Sequence, residues 1–239
     1  MSSLKILSGG AAQGLVASVA PKFKAMTGLD IEGEFGAVGA MAGKLRDGVP
    51  ADIVVLTAAM IAGLAGENLV VAASVADIGL VETAIAIRAG DPPVSVGDAA
   101  ALRKAFLAAD AIFVPDTKAS TAGIHVAKVL QQLGIADEVA ARLKIFPNGA
   151  TAMRNLAVST AAKPIGCTQS TEIISTSGVI PSGSLPRGCE LSTVYTAAVT
   201  TPAINARPAQ DLIDLLTGIE QRDLRQRAGF LEIQNSPIP

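Results

Sequence analysis

Groups able to move a proton are few in this chain and lie far apart. His125 is the sole histidine, Glu172 follows the run Gln169-Ser170-Thr171, Cys167 sits inside an apolar stretch and Glu34 closes another. Acid–base chemistry needs one group to remove a proton and the same or another group to return it. His125 and Glu172 are the first candidates for that role, with Cys167 and Glu34 behind them, and the spacing does not select among the four. A lone histidine makes no metal site, and Cys167 and Cys189, the two cysteines, lack a metal-ligand pattern. With no recognisable triad, P-loop or metal cluster, neither a metal nor any other cofactor is expected.

Hydrogen-bond donors suited to an anion, by contrast, recur at one kind of place. Ser8-Gly9-Gly10-Ala11, Gly36-Ala37-Val38-Gly39, Ser120-Thr121-Ala122-Gly123 and Asn148-Gly149 each stand between an apolar run that reads as a strand and a stretch that reads as a helix. Thr57 and the run Thr168-Gln169-Ser170 end further strands. A helix start carries unpaired N–H groups and partial positive charge, so it favours carboxylates, phosphates and oxyanions. Any α/β protein uses small residues to make such turns, so one of them decides little. Four of them point to one ligand site lined by backbone N–H groups at the carboxyl ends of the strands.

Some single residues have two readings. Arg88 ends a strand, where its planar fork could grip a carboxylate, or it is an exposed charge at a strand end. Lys118 beside the central turn reads as a solvated lysine, and Asp52 as a residue that fixes local backbone.

The elements that must carry these turns follow from periodicity. Short apolar runs at Lys5–Ser8, Leu29–Glu34, Asp52–Leu56, Thr83–Arg88, Ile112–Val114, Arg142–Phe146 and Pro164–Thr168 alternate with stretches of helical spacing, which is the α/β pattern. Ala89–Pro93 is the clearest break in the first half and is read as a crossover between lobes. Gly178–Gly188, rich in Gly, Pro and Ser, reads as loop, and Glu190–Thr200 as a strand returning to the first lobe. Two helices at Pro208–Leu216 and Ile219–Ala228 close the chain, and the tail Gln234–Pro239 has little to pack. The division expected is 1–86 plus 191–239 for one lobe and 87–190 for the other.

Half of the 239 residues are apolar, enough for a substantial core. A net charge of −2, no basic run, one Tyr and no Trp argue against a nucleic-acid surface. No apolar run has membrane-spanning length. The N-terminus enters a strand directly, so the chain as written reads as cytoplasmic, with free thiols, and as periplasmic if a leader has been removed.

Three segments together, SGGAAQG near the start, FGAVGAMAGKLRDGVPADIVVL next and STAGIHVAKVLQQLGI in the middle, resemble the molybdate-type, type II periplasmic substrate-binding proteins. The likeness runs from about Lys5 to Leu216 and is sharpest at Gly36-Ala37-Val38-Gly39 and Gly48-Val49-Pro50-Ala51-Asp52. It implies two α/β lobes, each a mixed sheet flanked by helices, with a small anion clamped between them and an ABC permease as partner if the protein is exported. Where molybdate binders place serines, this chain has Ala11 and Val38, and their late tyrosine falls near Gln169. Fewer hydroxyls suit a small organic di- or tricarboxylate better than molybdate. The resemblance extends to aconitate isomerases, which makes a cytoplasmic isomerase of an unsaturated carboxylate the alternative.

Overall fold

The computed structural model describes residues 3–233, so the terminal tail lies outside the described residues. The chain begins with β1 (Ser3–Gly9), a short 3-10 turn at Gly10–Ala12, α1 (Gln13–Thr27), β2 (Asp30–Gly36), α2 (Val38–Arg46), β3 (Ile53–Thr57) and α3 (Ala58–Gly66). β4 (Ala76–Arg88) is the longest strand, followed by α4 (Ala99–Ala108), β5 (Ala111–Pro115), α5 (Thr121–Gln132) and the single turn α6 (Ala136–Val139). Then come β6 (Leu143–Phe146), α7 (Gly149–Ala157), β7 (Pro164–Gln169), α8 (Ser170–Ile174), β8 (Val179–Ser184), β9 (Ser192–Val199), α9 (Ala206–Thr217) and α10 (Arg222–Arg227).

The strands run in the order β2-β1-β3-β9-β4-β7-β5-β6, with β8 also paired to β4. β1, β2 and β3 are parallel, as are β5, β6 and β7, whereas β9 and β4 are antiparallel to their neighbours. β4 therefore belongs to both lobes. Its residues up to Glu82 pair with β9, and from Thr83 they pair with β7, so the change of partner falls between Glu82 and Thr83. The buried apolar side chains segregate accordingly. One core gathers Leu4, Ile6, Phe23, Ile53, Leu56, Leu212 and Phe230, and the other side of that point holds cores built on Ile85, Phe106, Val126 and Cys167 and on Ala84, Phe113, Met153 and Ile173.

Two parts of this framework depart from the sequence reading. β4 begins at Ala76, seven residues before the expected Thr83. Its Gly79, which weakens a strand pattern, is required because a Cβ there would stand 2.9 Å from the Leu231 carbonyl of the returning C-terminal segment. The stretch read as loop contains β8, an edge strand that tolerates Pro181 because it pairs on one side only, with β4.

Candidate functional site

Turns at the carboxyl ends of β1, β2, β5, β6 and β7, together with β9, converge on one cleft. From one lobe it is lined by Gly10, by Gly36, Ala37 and Val38, and by Tyr195 of β9; from the other by Ser120, Thr121 and Ala122, by Asn148, and by Gln169 and Glu172. The space is narrow. The lobes touch across it. A Cβ on Gly39 would be 3.6 Å from the Ala119 carbonyl, and one on Gly14 would be 2.8 Å from Cβ of Ser175.

Helix starts supply most of the donors. Ala37 caps α2 and Ser120 caps α5 in extended conformations, and neither cap accepts a side-chain hydrogen bond from its helix. The first N–H groups of both helices, which have no intrahelical partner, are thus presented to the cleft from opposite sides. Two other starts carry side-chain caps: Asn148 accepts from Thr151 N at 2.8 Å at the head of α7, and Thr57 accepts from Met60 N at 3.4 Å at the head of α3. Asp116 accepts from the N–H groups of Lys118 and Ala119 at 2.7 and 3.0 Å, which shapes the turn before α5 and holds its carboxyl below the usual range.

Two side chains give the cleft its chemistry. Gln169 is 3 % exposed, yet neither its amide nitrogen nor its amide oxygen has a hydrogen-bond partner. Glu172, 5 % exposed, accepts from the Thr168 hydroxyl at 2.5 Å. Burial raises its pKa, and the Thr168 hydroxyl together with the nearby backbone N–H groups of Ala150, Gln169 and Gly149 opposes the rise. Tyr195 packs edge-on against Phe230, with centroids 6.4 Å apart, and burial together with the Glu172 carboxyl pushes its phenol upward. Glu172 and Tyr195 are the ionisable residues on the lining; the rest is amide, hydroxyl and small apolar surface. Among the described residues, no group of three His, Cys, Asp or Glu is placed to hold a metal ion.

Residues 4–231 match the family described as bacterial extracellular solute-binding proteins. The chain belongs to that family. Its backbone superposes on a periplasmic molybdate-binding protein from Azotobacter vinelandii with a TM-score of 0.80, at 17 % identity over 97 % of this chain and 100 % of that one. A sulfate-binding protein from Mycobacterium tuberculosis gives 0.75, at 18 % identity over 98 % and 88 %. At this identity the two establish the fold, a two-lobed type II periplasmic-binding-protein architecture with the cleft between mixed sheets. The chain is also 22 % identical to an aconitate isomerase from a Pseudomonas species, over 99 % of this chain and 90 % of that one.

The expected site residues separate into two groups. Gly10, Gly36, Val38, Ser120, Thr121, Ala122, Asn148 and Gln169 line the cleft. Gly9 and Ala11 flank Gly10; a Cβ on Gly9 would meet Tyr195 and Val38, both at 2.9 Å. Gly39 follows Val38 in α2, and Gly123 packs α5 against Asp116 so closely that its Cβ position is 2.1 Å from that carbonyl. Thr168 and Gly149 serve Glu172, Ser170 opens α8, and Ser8 is spent on the Gly9 carbonyl at 2.9 Å.

Arg88 needs correcting, because it lies away from the cleft. Its Nε and Nη2 donate to Asp91 at 2.8 and 3.2 Å and its Nη1 to the Ser159 carbonyl at 2.5 Å, which engages the fork within its own lobe. Thr57 is likewise a helix cap and not a lining residue. Of the four proton-handling candidates only Glu172 reaches the cleft. His125 bonds through Nε2 to the Cys189 carbonyl at 2.8 Å, Cys167 is buried in a core, and the exposed Glu34 pairs with Lys44. Tyr195 escaped the sequence reading; it lies on a strand whose neighbours are fixed only by topology, although its being the sole tyrosine was a usable signal.

No helix among the described residues is long and apolar enough to cross a membrane.

Proposed function

We propose that this chain is a substrate-binding protein whose cleft holds a small organic di- or tricarboxylate. The observation that carries the reading is the meeting of two uncapped helix starts, those of α2 and α5, across a gap where a buried glutamine amide has no partner. Backbone N–H groups with partial positive charge on two sides are complementary to carboxylates separated by a short carbon skeleton. A tetrahedral oxyanion needs donors around its whole surface. Here Ala11 and Val38 offer no hydroxyl, which argues for an organic anion instead.

The lobes, divided in our reading between Glu82 and Thr83 and again near Leu191, close on the ligand by bending β4 and β9. The protein then works outside the cytoplasm and hands its ligand to an ABC permease, in keeping with an extracellular family. A second reading is favoured by one observation: Glu172 is a buried acid with a raised pKa on the lining, as an isomerase of an unsaturated carboxylate requires.

A thermal-shift screen against molybdate, sulfate, phosphate and a panel of di- and tricarboxylates tests both. A ligand that binds only the folded state raises the melting temperature as RT ln(1 + [L]/Kd). A carboxylate that stabilises the protein and keeps its proton NMR spectrum supports binding. A carboxylate whose vinyl or methylene signals move to those of an isomer supports the enzyme, and stabilisation by molybdate or sulfate alone contradicts both.

A further inference from the structure

The unpaired amide of Gln169 says something about the far end of the ligand. Gln169 is the residue before α8 and Glu172 is the third residue within it, the spacing of a capping box. The Thr168 hydroxyl donates to the Glu172 carboxyl at 2.5 Å, and the Gly149 and Ala150 backbone at the start of α7 lies against it. Glu172 is thus held in place. Beside it, both ends of the Gln169 side chain are buried without a partner.

A buried amide left unpaired costs stability, so it persists where a ligand completes it. Its nitrogen can donate to any carboxylate. Its oxygen only accepts, and a fully ionised carboxylate has no proton to offer. Glu172, held next to it, also disfavours a second carboxylate in this corner. A neutral group that both donates and accepts fits both constraints.

We propose that Gln169 forms a subsite for a hydroxyl group of the ligand, with Glu172 barring carboxylates from it, so that the cleft selects hydroxy-carboxylates over the same acids without the hydroxyl. This rests on the carboxylate-binding reading above. The ligand's carboxylates lie at the starts of α2 and α5, and its hydroxyl donates to Oε1 of Gln169 while accepting from Nε2.

The test is calorimetric titration with two matched pairs, malate against succinate and citrate against tricarballylate, on the whole protein and on Gln169→Leu. A site built to pair a hydroxyl rejects the analogue that lacks it, so the hydroxyl-bearing member of at least one pair should bind roughly tenfold or more tighter. Gln169→Leu should bring that ratio close to one. Equal affinities within both pairs in the unaltered protein would overturn the hydroxyl subsite while leaving carboxylate binding standing, and this comparison does not depend on the variant folding. A ratio unchanged in a folded Gln169→Leu would also overturn it. If no member of either pair binds, the carboxylate reading falls and the subsite with it.

Discussion

Gly10 and Glu172 meet across the cleft: a Cβ on Gly10 would stand 2.5 Å from Oε1 of Glu172, closer than two such atoms can approach. The backbone that leaves β1 in one lobe thus leans on the carboxyl that joins α7 and α8 in the other. Gly10→Ala should push that carboxyl off its donors or hold the lobes apart. Affinity for the stabilising carboxylate is expected to fall by about tenfold or more, roughly 1.4 kcal/mol, in a calorimetric titration. Gly149→Ala puts a Cβ 1.9 Å from Oε2 of the same carboxyl within a single lobe, and so should cost folding stability of about 1–3 kcal/mol in urea unfolding.

Glu172 also sets a pH dependence. Its folded-state pKa is raised above the ordinary 4.5 by burial, so between the two values the folded protein binds more protons than the unfolded chain. Stability from this group is fully present below about 4.5 and declines as pH rises through the folded-state value. Urea unfolding at a series of pH values should show that decline, and Glu172→Gln should abolish it.

Asp52 behaves in the opposite sense. It accepts from Lys5 N at 2.9 Å, from Ile204 N and Asn205 N at 2.9 and 2.8 Å, and from the Asn205 amide at 3.1 Å, tying β1 and β3 to the segment that enters α9. Those bonds hold its carboxyl below the ordinary 3.8 against the cost of burial, so its contribution is present above that value and lost as pH falls through the lower folded-state one. Asp52→Ala strands three backbone donors and is expected to cost about 2–4 kcal/mol of folding stability. The melting temperature should drop while ligand affinity in the folded protein stays unchanged.

How far this could be read from the chain depends on whether the deciding contacts are local. The strand–turn–helix joints at Gly36–Val38 and Ser120–Ala122 are spelled out by neighbouring residues, and they line the cleft. Glu172 was legible as a candidate but not selectable, because Thr168, Gly149 and Ala150 come to it from β7 and α7. Tyr195 becomes a lining residue only because β9 is inserted between β3 and β4. The first half of β4 was hidden by Gly79, whose reason is the Leu231 carbonyl about 150 residues later. Arg88 had its partner nearby at Asp91, three residues on, and the competing carboxylate reading obscured it.

That pairing yields a direct control. Arg88→Ala removes hydrogen bonds to Asp91 and to the Ser159 carbonyl, at a cost of about 1–3 kcal/mol for the part-buried cluster. It should leave carboxylate affinity within about twofold of the unaltered protein, since 1.4 kcal/mol is needed for tenfold and no ligand contact is lost. A larger loss in the titration would mean that Arg88 reaches the ligand after all.

The central claim is that a small carboxylate lodges between the starts of α2 and α5. It is tested most directly by mapping amide chemical shifts in 15N-labelled protein during titration with whichever di- or tricarboxylate gives the largest thermal shift. The account predicts saturable shifts centred on the amides of Val38, Gly39, Thr121 and Ala122 and on the side-chain amide of Gln169. Shifts centred elsewhere, or no saturable response to any carboxylate, would contradict it.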